Sequence, residues 1–100
     1  MLVWTEASWE EALKAFSKGR QVLVQWMGIQ ARIGHGAVTL RIGQGPRCLQ
    51  LVWAAEHFTV KELKRALEEW DMRGETGLYA IEVGMFVEEF LREAGKSRKL

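Results

Sequence analysis

The stretch Arg32–Leu49, "RIGHGAVTLRIGQGPRCL", says one phrase twice: Arg-Ile-Gly-His-Gly-Ala-Val-Thr-Leu, then Arg-Ile-Gly-Gln-Gly-Pro-Arg-Cys-Leu, with Arg, Ile, both Gly and Leu returning at a spacing of nine. A dinucleotide fingerprint requires a strand, Gly-x-Gly-x-x-Gly and then a helix, and a P-loop requires Gly-Lys followed by Ser or Thr. Here each Gly-x-Gly leads into another alternating run, the third glycine is missing and no such Lys follows. A period of nine is also too short for a helical solenoid. The segments 34–36 and 43–46 instead fall where an antiparallel chain must reverse, and glycine supplies the positive φ that tight hairpin turns demand. The repeat therefore reads as strand end, turn and strand, solved twice the same way.

The alternation extends outward from this stretch. Val38, Leu40 and Ile42 alternate with Thr39 and Arg41, and Leu49, Leu51 and Trp53 alternate with Cys48, Gln50 and Val52. Upstream, Val22, Val24 and Trp26 alternate with Leu23 and Gln25. After Met27-Gly28 the phase slips by one, making Met27, Ile29, Ala31 and Ile33 the apolar set. Such a slip marks either a β-bulge near Gly28 or a break between two short strands. The short connections favour an antiparallel meander.

Helical patterns flank the strands. Ser8 and Glu11 form a capping-box pattern ahead of Trp9, Ala12, Leu13 and Phe16 on one face, with Gly19 just past the end. Thr59 and Glu62 repeat that pattern, and Phe58 is placed to staple onto Leu63. Val60, Leu63, Ala66, Leu67 and Trp70 make the buried stripe of this second helix. The segment 77–95 allows two readings. Tyr79, Ile81 and Val83 alternate like a strand, which would leave a short helix after Gly84. Tyr79, Val83, Phe86, Val87, Phe90, Leu91 and Ala94 share one face of a continuous helix, and this is the reading favoured. The expected fold is α+β: an N-terminal helix, a three-stranded antiparallel β-meander, and two C-terminal helices packed on one face of the sheet. Residues 1–95 form the single domain and 96–100 a basic flexible tail.

One hundred residues, 48% hydrophobic and 27% charged, suit one globular domain and not a disordered chain. Such a chain buries about 65% of its unfolded surface, enough for one core. Five tryptophans are available as core filler or as contact residues. Cys48, the only cysteine, cannot pair within the chain, which points to a reducing compartment. The N-terminus lacks the pattern of a signal peptide, and no apolar run approaches the roughly 18 residues of a membrane span. The expected location is cytoplasmic.

Catalytic patterns are sparse. Cys48 has no evident histidine partner, His35 stands between glycines in a turn, and Glu56-His57 is an isolated pair. The carboxylate pairs Glu10/Glu11, Glu68/Glu69 and Glu88/Glu89 fall on polar helix faces. No His, Cys or carboxylate cluster has the spacing of a metal site. Neither catalytic residues, metal nor cofactor are expected, and an enzyme is not.

The charge pattern is more informative. The net charge is only +1, yet Ala12–Ala55 contains no Asp or Glu while carrying Lys14, Lys18, Arg20, Arg32, Arg41 and Arg47. Segregation of this kind sets up a surface field despite the balance. Thr39, Arg41 and Gln50 point away from the apolar face of their strands, and Arg32, His35 and Arg47 lie near the turns. Arg and Gln suit phosphates and base edges, and Trp26 would add stacking if the slip placed it on the same face. The site expected from these residues is Arg32, His35, Arg41, Arg47 and Gln50, engaging an anionic partner: nucleic acid first, with an acidic protein surface or small anionic ligand as the alternatives.

A second surface belongs to a different class of function. On a continuous last helix, Leu78, Ile81 and Met85 form an apolar stripe opposite the core, suited to a partner helix or to a homo-oligomer. The N-terminal "MLVW" is the segment that would otherwise cover it. The stretch Ser8–Val22, "SWEEALKAFSKGRQV", resembles the opening of small phage-encoded proteins, the Thoeris anti-defence family among them. Some proteins of that kind sequester signalling nucleotides; the alternative function expected here is a protein–protein module, a homo-oligomer or a phage-type inhibitor of a host system, using the tryptophans and the Leu78/Ile81/Met85 stripe. The chain departs from the family's Arg-x-Gly-Trp type element at Leu23–Gly28, "LVQWMG", and no binding residue carries over.

Overall fold

The computed structural model describes residues 2–4, 7–43, 46, 48–72 and 74–98. Chain order is β1 (Leu2–Val3), α1 (Trp9–Ser17), β2 (Val22–Trp26), β3 (Ile29–Gly34), β4 (Ala37–Ile42), β5 (Leu49–Ala54), a 3-10 turn (Ala55–His57), α2 (Val60–Glu69) and α3 (Glu75–Arg98). The fold is α+β. Strands β2 to β5 form a four-stranded antiparallel meander, and β1 adds two residues parallel to the edge of β2. No helix among the described residues is long and apolar enough to cross a membrane.

The expected three strands are corrected to four. The phase slip at Met27-Gly28 is a hairpin turn, not a bulge. Trp26 pairs with Ile29 across a two-residue loop, with φ of 49° at Met27 and 80° at Gly28. Paired residues share a face, and here they are three apart, so the loop flips the parity of the apolar set. The β3–β4 turn does the same at His35 (φ 53°) and Gly36 (φ 76°). Positive φ at both central residues is the type I′ geometry, whose twist matches that of the flanking strands. In the second copy of the repeated phrase, residues 44, 45 and 47 lie outside the described residues.

Met27 occupies this left-handed conformation at a cost on the order of 1 kcal/mol, which Asn largely escapes. Its side chain is exposed, so little burial is lost on replacement. Met27→Asn is therefore expected to stabilise the protein by about 1 kcal/mol, raising Tm by roughly 4–8 °C. A lower Tm in a thermal melt would contradict the turn assignment.

The register places Val22, Ile33, Val38 and Trp53 in one row of the covered face, and Val24, Ala31, Leu40 and Leu51 in the next. Those on β2, β3 and β4 are buried, and Leu51 and Trp53 pack half-buried against them. All three helices contribute to this side of the sheet. The hydroxyl of Ser8 accepts from the Glu11 N–H at 3.3 Å, and that of Thr59 from the Glu62 N–H at 3.1 Å, so both predicted N-caps form. Helix α2 has one further cap that comes from outside its own segment. The Val60 N–H donates to Glu88 Oε2 at 2.6 Å, placing a carboxylate at the positive end of that helix.

The segment 77–95 lies within one continuous helix, α3, which buries Ala80, Val83, Val87, Phe90 and Ala94. Gly84 makes room for α2 against α3: a Cβ there would collide with the Leu63 side chain. Among the described residues, the N-terminal segment does not cover the outer face of α3. Leu2–Val3 joins the sheet, and the Trp4 ring lies edge-on to Trp9 at 5.2 Å and to Phe86 at 4.6 Å. At the other end, α3 runs through the first three residues of the expected 96–100 tail, and 99–100 lie outside the described residues.

Candidate nucleic-acid interface

The helices cover one face of the sheet, and the opposite face is open. Period-two alternation puts on it the residues whose strand neighbours are buried. The register aligns Gln25, Gln30, Arg41 and Gln50 in one row across four strands, and Leu23, Arg32, Thr39 and Val52 in the next. Three strand spacings make the row about 14 Å wide. Arg32 and Arg41 are diagonal neighbours on the two central strands, with Cα atoms about 7–8 Å apart. Gln25, Arg32, Arg41 and Gln50 are exposed, whereas Gln30 and Thr39 are half-buried by their neighbours.

The Arg41 Nε–H donates to Cys48 Sγ at 3.2 Å, which fixes one side of the guanidinium and places the cysteine on the open face. No carboxylate pairs with Arg32 or Arg41 among the described residues. None of the chain's acids stands on β2 to β5. Charge segregation along the sequence thus becomes segregation by layer, with a sheet whose only charges are arginines beneath a helical layer that carries most of the carboxylates.

Of the five expected site residues, Arg32, Arg41 and Gln50 share this face. His35 is exposed at the β3–β4 turn, toward the end of the sheet away from Arg41. Arg47 lies outside the described residues. Gln25 and Gln30 complete the row and were not among the expected residues. The parity flip at Met27-Gly28 is the signal that would have placed them. The suggestion that Trp26 adds stacking is corrected: Trp26 shares the phase of Val22 and Val24 on the helix side, and its indole N–H donates to Glu82 Oε2 of α3 at 3.2 Å.

The second expected surface is divided. Leu78 and Met85 stand on the outer face of α3 and are 62% and 58% exposed. Leu78 and the half-buried Ile81 both line a shallow depression with Leu67 and Met72 between α2 and α3, whereas Met85 does not. Comparison with protein-family models, with curated proteins and with solved structures returns no match for this chain.

Proposed function

We propose that this chain is a small non-enzymatic binding module whose open sheet face engages an anionic partner, nucleic acid foremost. The observation that carries the reading is the register itself, which brings Arg32, Arg41, Gln50 and the unforeseen Gln25 and Gln30 onto one solvent face of strands that carry no carboxylate. Guanidinium groups bind phosphate bidentately, and glutamine amides both donate and accept. His35, exposed at the β3–β4 turn, extends the same surface in this reading, and Arg47 joins the proposed set by its position in the sequence alone.

The test is a titration of labelled oligonucleotides followed by anisotropy at increasing salt. Three or four phosphate contacts predict that log K falls against log salt concentration with a slope of about −3. A complete lack of binding at low salt would overturn the nucleic-acid reading. A second reading is favoured by the exposed Leu78 and Met85: a protein–protein contact through the outer face of α3, as in a homo-oligomer or an inhibitor of another protein.

A further inference from the structure

We infer that the nucleic acid suited to this face is a duplex held by its phosphate backbone, not a single strand held by its bases. The inference rests on the nucleic-acid reading above and adds the class of ligand.

Its first support is the placement of the aromatic side chains. Proteins that hold single strands stack successive bases on aromatic rings, a contribution of roughly 1–3 kcal/mol per base. This chain has ten aromatic residues, all of them described, and none is on the open face. Trp26 and Trp53, the two on strands, project from the helix-covered side: Trp26 bonds Glu82 of α3, and Trp53 meets the buried Phe58 ring at 5.2 Å. Trp70 stands at the C-terminal cap of α2. The others belong to α1, α3 and the Trp4 cluster that packs on them. A splayed base would meet amides, guanidinium groups, Thr39, the Cys48 thiol and the aliphatic Leu23 and Val52.

The second support is shape. The open face is a hydrogen-bonded ladder about 14 Å across, wider than the roughly 12 Å major groove of B-DNA. Such a sheet lies across the backbone and does not enter the groove. What it then meets is phosphate, which a duplex presents at one charge per about 1.7 Å of axis. Arg32 and Arg41, fixed diagonally on the central strands, are spaced to engage separate phosphates. Glutamine side chains are also among the groups that commonly bond phosphate oxygens.

The third support is orientation. Among the described residues the carboxylates stand on the helices and their connections, and none stands on β2 to β5. A duplex lying on these strands therefore meets their arginines and no acid of the strands themselves.

The experiment compares a short DNA duplex with each of its constituent strands, identically labelled, by anisotropy with the full chain at low salt. The duplex is expected to bind at least about tenfold tighter, a difference of about 1.4 kcal/mol. Trp26→Ala should leave the duplex affinity unchanged. If either strand alone binds as tightly as the duplex, the inference falls while the nucleic-acid reading stands. If neither duplex nor strand binds, the reading itself has failed and takes the inference with it.

Discussion

Replacing Arg32 and Arg41 together by Glu is expected to weaken duplex binding on the order of a hundredfold at low salt, equivalent to about 3 kcal/mol. The two guanidinium groups are the only charges on β2 to β5. Reversal removes two phosphate contacts and sets two carboxylates against the backbone. The magnitude of the salt slope should also fall by roughly two units, one for each lost phosphate contact. Both side chains are exposed and the core lies on the other face, so circular dichroism and Tm should stay close to the parent's. Leu78→Lys with Met85→Lys is the companion variant: it alters the outer face of α3 and should leave duplex binding intact. If the lysine pair abolishes binding and the glutamate pair does not, the functional surface is the helix.

The parts of this molecule that were legible in sequence are those whose signal is local. Alternation at Val38–Ile42 and Leu49–Trp53 marks two strands and tells their inner face from their outer one, so Thr39, Arg41 and Gln50 could be assigned to one surface without coordinates. Ser8 and Thr59 announce their helices because a cap needs only three residues. The fourth strand was missed because a parity flip has two local explanations, and only the pairing of Trp26 with Ile29 separates a turn from a bulge. Met27 hid that turn, since the usual Asn-Gly or Asp-Gly pair is absent. The same ambiguity left Trp26 without a face and Gln25 and Gln30 unnoticed. Glu88 read as one of a solvated pair because, besides Arg92 one turn along its own helix, its partner is a main-chain N–H 28 residues away. Strand or helix at 78–83 depends on contacts that no short window contains: Gly84 admits Leu63, and Phe86 and Phe90 meet Trp4.

Phe90→Ala is expected to cost 3–5 kcal/mol, about the range for emptying a large aromatic site in a core. Phe90 is fully buried and heads the largest of the buried side chains. Its ring lies edge-to-face with Trp4 at 5.4 Å, Trp9 at 5.8 Å and Phe16 at 5.4 Å. Removing it leaves three rings facing a void, and rigid rings anchored on α1 and the N-terminal segment have little freedom to close it. A domain of this size commands roughly 5–15 kcal/mol in total, so the variant should melt at least about 10 °C below the parent. Trp70→Ala provides the contrast. That ring, expected in the buried stripe of α2, is instead 61% exposed at the helix C-cap, and its loss should change stability by no more than about 0.5 kcal/mol. Equal costs for the two would mean that the aromatic cluster does not form the centre of the helical layer. Phe90 also lies on the opposite side of the sheet from Arg32 and Arg41. Below its lowered melting point, Phe90→Ala should therefore keep the parent's duplex affinity, just as the Arg32/Arg41 pair should keep the parent's stability. Exchange of those two phenotypes would place the binding surface among the helices.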